Sequence, residues 1–136
     1  MRKNTFILLF IAIFILSAAY LILTKTPPAS NDINTAKYMK ISAAEAKEMM
    51  SGDYTLLDVR TVSEFNEGHI SGAILIPDNE IAVRAKNELQ DKNALILVYC
   101  QSGRRSALAA NELVKQGYTN VYDFGGITSW PYDIVK

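Results

Sequence analysis

Apolar and polar positions divide this chain into three stretches. Phe6 to Leu23 is a run of eighteen residues without a charge, preceded by Arg2 and Lys3, and Ser17 is nearly its only polar side chain. As a helix it is roughly 27 Å long, close to the thickness of a bilayer core. Residues 1–24 therefore read as an N-terminal hydrophobic helix. Residues 25–36 follow as a flexible linker, because the stretch TKTPPASNDINTA around them holds two prolines and many small polar side chains. From Lys37 to the end, short apolar runs alternate with helical periodicities, as in a folded domain over 37–136.

Within that domain, Tyr38-Met39-Lys40-Ile41 reads as a short strand, and Ser42 with Glu45 forms a capping box opening a helix that runs to about Met50 and stops at Gly52. Tyr54–Val59 is an apolar strand with Asp58 near its end, Thr61–Asn66 a short helical turn, and Ala73–Ile76 a third strand closed by Pro77. Glu80–Leu89 has helical spacing, with Ile81, Ala85 and Leu89 on one face. Ala94–Tyr99 (ALILVY) is apolar throughout, which suits a central parallel strand covered on both faces. Ser106–Gln116 is a second helix, with Leu108, Ala109, Leu113 and Val114 as its stripe and Gly117 as its stop. Val121-Tyr122 is a last short strand before Gly125-Gly126. Strands alternating with helices predict an α/β domain: a mostly parallel sheet with helices on both faces.

Composition agrees with one globular domain, at 49% hydrophobic and 21% charged residues. The net charge is zero, and the part beyond residue 24 is slightly acidic, so nucleic acid is not an expected partner. The basic flank should stay in the cytoplasm, which sends the domain to the extracytoplasmic side. Two forms remain open. Residues 1–24 are either a signal anchor holding the domain at the membrane, or a signal peptide cut after Ser17-Ala18-Ala19, which releases it.

There is one cysteine, which rules out an intramolecular disulfide and a Cys-rich zinc site. That residue opens the segment Cys100-Gln101-Ser102-Gly103-Arg104-Arg105, between the most apolar strand and a helix N-terminus. Ligands bind at the carboxyl ends of strands in such sheets. A free thiol has a pKa of about 8.5, and a helix N-terminus or nearby arginine lowers it. Gly103 permits a tight turn whose N–H groups converge as an anion nest, and Arg104 and Arg105 add positive charge. The pocket suits a thiolate, a persulfide or an oxyanion. A cysteine-based phosphatase needs five residues between Cys and Arg; here Ser106 occupies that place and Arg105 comes one residue early. The smaller loop fits a single sulfur atom better than a tetrahedral phosphate.

Cys-Gln-Ser-Gly-Arg-Arg-Ser resembles the active-site loop of rhodanese domains. Three further segments are similar to that family: Phe65-x-x-x-His69-Ile70-x-Gly72-Ala73-x-x-Ile76, with Ser71 where proline is usual; Leu57-Asp58-Val59-Arg60; and Val121 to Gly126 with Trp130. The resemblance covers about residues 38–132. It implies a rhodanese-like three-layer fold with a central five-stranded parallel sheet. It also implies ping-pong transfer of sulfane sulfur through a Cys100 persulfide, from thiosulfate or a persulfide donor to a thiol or cyanide, with no metal or organic cofactor. Cys100 and Arg105 are then the catalytic candidates, and Gln101, Ser102, Gly103, Arg104, Arg60 and Asp58 the substrate-binding ones. Asp58 and Arg60 are weighed more as a salt bridge beside the site than as reacting groups, and His69 as structural. Glu64 and Glu67 read as solvated charges. The other class of function is a binding or sulfur-delivery module that docks an acceptor protein without broad turnover.

Overall fold

The structure, a computed structural model, describes residues 37–136. The expected hydrophobic helix (1–24) and linker (25–36) lie outside the described residues.

Five strands form one parallel sheet: β1 (Met39–Lys40), β2 (Thr55–Asp58), β3 (Ile74–Leu75), β4 (Ile96–Cys100) and β5 (Val121–Gly126), in the order β1-β5-β4-β2-β3. The apolar run leading to Cys100 is the central strand, and all five residues of β4 are buried. Its side chains alternate between faces. Ile96, Val98 and Cys100 pack with Ile81 and Ala85 of α3 (Ile81–Glu88) and with Ala109, Ala110 and Leu113 of α4 (Arg104–Lys115). Leu97 and Tyr99 point the other way, into a second cluster with Ala46 of α1 (Ala43–Met49), Phe124 and Trp130. Helices thus cover both faces, and the parity of β4 turns the Cys100 side chain toward α4.

The capping box at Ser42 and Glu45 is present, but α1 ends at Met49 without a left-handed glycine: Gly52 has no positive φ. A second capping box, Thr61 with Glu64, opens α2 (Val62–Glu67). Gly117, at φ 91°, ends α4, and the next amide, that of Tyr118, reaches back to the Leu113 carbonyl.

Two expectations about α4 need correction. It begins at Arg104, because Gly103 in the left-handed region (φ 101°) occupies the N-cap position, so both arginines stand in the first helical turn. Its buried face is Ser106, Ala109, Ala110 and Leu113, at the i, i+3, i+4, i+7 spacing. Leu108 falls off that face and is 54% exposed. β5 also runs far beyond Val121-Tyr122: β1 and β4 both pair with it as far as Asp123, and β4 pairs with it again at Gly126, after Gly125 turns at φ 87°.

From β4 the chain crosses to β5 on one side, and from β2 it crosses to β3 on the other. The carboxyl ends of β2 and β4 therefore diverge at a switch point, where such sheets open a ligand crevice.

Candidate active site

At that crevice the segments after β4 and β2 meet. Gly103 donates its backbone N–H to Cys100 Sγ at 3.1 Å. Cys100 is only 1% exposed, so the sulfur is buried, yet it faces the amides at the start of α4. Burial pushes its pKa up, but the Ser106 amide and hydroxyl and the Gly103 and Ser102 amides outweigh that and hold the thiol below its ordinary value. The amides and a hydroxyl lead this depression, and the Arg105 charge invoked from sequence also interacts with the sulfur. Ser106, fully buried, was not singled out as a site residue; its Oγ lies 3.1 Å from the Gly103 carbonyl and 3.3 Å from that of Gly125. With one proton it donates to one acceptor at a time.

The loop rests on the end of β5. Gly126 pairs with Cys100, and the Gln101 carbonyl accepts from Thr128 Oγ1 at 3.0 Å. Asp123, buried, takes the Gly125 amide at 2.9 Å and fixes the turn preceding that contact.

Asp58 and Arg60 form the expected salt bridge. Arg60 Nη2 stands 2.7 Å from Asp58 Oδ2 and donates to the Gly68 carbonyl at 2.8 Å, and Arg60 Nε bonds both carboxylate oxygens at 3.0 Å. Both residues are buried. The one link from this pair to the loop is Arg60 Nη1 to Gln101 Oε1, at 3.4 Å. Tyr99 completes the cluster: its hydroxyl accepts from the Ile70 amide at 3.1 Å, and burial raises its pKa.

Glu64 is not the solvated charge expected. Its carboxylate binds Arg105 through two bonds of 2.6 and 2.8 Å, while Oε2 also accepts from the Thr61 amide and hydroxyl at 2.9 Å each. The Arg105 guanidinium, then the Thr61 groups, overcome burial and hold Glu64 down to about 2. The Thr-x-x-Glu spacing signalled the cap; nothing local signalled Arg105, 41 positions away. Arg104 and Ser102 are exposed, and Gln101 is half-buried. A cavity of about 320 Å³ lies beside the loop, lined by Gln101, Arg60, Glu64, Glu67 and Thr128; Cys100 does not line it. His69 stacks on Phe65 at 3.7 Å, its Nδ1 lies 3.1 Å from the Phe65 carbonyl and its backbone pairs with Val135, which accounts for it structurally.

The chain matches the model of the Rhodanese-like domain family over residues 42–132. It is 39% identical over 71 residues to thiosulfate sulfurtransferase PspE of Escherichia coli (strain K12), covering 52% of this chain and 68% of that one. It is 35% identical over 95 residues to thiosulfate sulfurtransferase GlpE of Coxiella burnetii, covering 68% of this chain and 87% of the relative. It spans about half, 53% and 52%, of two further relatives, from Bacillus subtilis and Raphanus sativus. Among solved structures, a rhodanese with anions from E. coli superposes with a TM-score of 0.58 at 36% identity, over 61% of this chain and 98% of that one.

Proposed function

The chain belongs to the rhodanese-like domain family, and on that premise we propose that it is a sulfurtransferase in which Cys100 carries sulfane sulfur as a persulfide. The observation that carries this reading is the Gly103 amide 3.1 Å from Cys100 Sγ, within a ring of donors that favours the thiolate. The thiolate attacks the outer sulfur of a sulfane donor. The new bond joins Sγ to that sulfur, the donor's S–S bond breaks, and the electron pair leaves with sulfite or with a thiolate. A thiol or cyanide then attacks the outer sulfur and returns Cys100 as thiolate.

The sulfur is buried beneath its own loop, in which Gln101 and Gly103 are half-buried and Ser102 and Arg104 face solvent. Gln101, Ser102, Gly103 and Arg104 bind the donor in this reading. Arg105 and the Asp58–Arg60 pair shape the rim. The apolar run of residues 6–23 and its basic flank support an extracytoplasmic domain, anchored at the membrane or released from it.

Mass spectrometry of the full-length protein after thiosulfate treatment tests the reading. One added sulfur atom on Cys100, removed by cyanide and absent from Cys100→Ser, is the expected result; no adduct from any sulfane donor contradicts it.

A further inference from the structure

Resting on the reading above, we propose that Glu64 is a specificity-determining residue that neutralises Arg105 and so biases the Cys100 site toward persulfide donors of low charge over dianionic thiosulfate. The loop has three arginines beside it, and two are already engaged. Arg60 is 3% exposed and locked between Asp58 and the Gly68 carbonyl. Arg105 is held by Glu64 through paired bonds of 2.6 and 2.8 Å. Glu64 in turn is fixed by the Thr61 amide and hydroxyl, so its carboxylate does not swing aside freely. Arg104 alone is exposed with no salt bridge among the described residues. Arg105 keeps unused N–H donors, but its charge is cancelled, and Glu67 on the cavity rim adds a negative one.

Charge then separates the donors. When thiolate attacks thiosulfate, three negative charges gather at the reacting atoms; Sγ bonds the sulfane sulfur, the S–S bond to the sulfonate breaks, and sulfite leaves with the electron pair. When thiolate attacks a persulfide of an uncharged thiol, at most two gather; Sγ bonds the outer sulfur and the parent thiolate leaves with the pair. A site whose cations are mostly paired penalises the first reaction more than the second.

The test compares the full-length protein with Glu64→Gln, using thiosulfate and the persulfide of 2-mercaptoethanol, and follows Cys100 persulfide formation by mass spectrometry. Glutamine at this helical position keeps the capping hydrogen bonds, so Thr61 still caps α2. The expected result is a roughly tenfold lower KM for thiosulfate in Glu64→Gln, from the freed guanidinium, with the 2-mercaptoethanol persulfide KM unchanged. Glu48→Gln removes an exposed carboxylate on α1 and should move neither value. Equal changes for both donors, no change for either, or the same shift in Glu48→Gln overturns the inference and leaves the sulfurtransferase reading standing. Absence of any Cys100 persulfide from either donor overturns both.

Discussion

Gly126 lies so close beneath Gln101 that a Cβ on the glycine would overlap the Gln101 carbonyl oxygen and stand 2.6 Å from Ser102 Cα. The path of the chain immediately after Cys100 is therefore set by backbone packed on backbone, between the end of β5 and the sulfur-bearing loop. No side-chain rotation relieves such a contact.

Gly126→Ala should consequently move the loop off β5. Overpacking of this kind costs about 1–3 kcal/mol, readable as a lower urea midpoint. Persulfide formation at Cys100 should fall even at temperatures where the variant stays folded, because the Gly103 amide shifts with the loop. A variant with parent stability and parent persulfidation would show that this contact does not shape the site.

Asp58→Ala should be among the more destabilising single changes in the domain. It leaves the Arg60 guanidinium buried without its carboxylate, at a cost of about 3–5 kcal/mol. The paired replacement Asp58→Leu with Arg60→Met removes both charges and should recover much of that loss. Urea unfolding of the single and double variants measures both effects; equal stability of single variant and parent would argue that the pair is not the buried bridge described.

The Thr61–Glu64–Arg105 linkage predicts an acid-sensitive contribution to stability. Glu64 is held near 2 in the folded chain against an ordinary 4.5. A carboxyl depressed on folding stabilises fully above its unfolded value, and that stabilisation is lost as pH falls from about 4.5 through 2. The drop in urea midpoint between pH 5 and pH 3 should be smaller for Glu64→Gln than for the parent. At neutral pH this ion pair does not titrate, so a pH profile of the sulfur chemistry there does not report Glu64.

Local pattern carried much of the fold. The all-apolar run before Cys100 is the central strand, the strand–helix alternation is a parallel sheet covered on both faces, and Ser42 with Glu45 caps α1. Features that depend on distant partners did not show. β5 continues through Asp123 and Gly126, poor strand formers, because β1 and β4 both pair with Asp123 and β4 pairs with Gly126. Leu108 is apolar but faces water, since the small residues Ala109 and Ala110 set the buried face of α4. At the site, the six residues from Cys100 to Arg105 could be picked out from the strand, glycine and helix around them. Ser106 could have been found as the next inward-facing residue of that helix. The pairing of Arg105 with Glu64 joins two motifs far apart in sequence, and only the crevice between β2 and β4 brings them together.

The most direct test of the central claim is the pH dependence of Cys100 alkylation by iodoacetamide, read by mass spectrometry at a concentration low enough for the thiolate fraction to set the rate. A midpoint below that of an ordinary thiol, about 8.5, moving upward in Ser106→Ala, is what donors converging on the sulfur predict. A midpoint at or above that of an unperturbed thiol, the same in parent and Ser106→Ala, would contradict it.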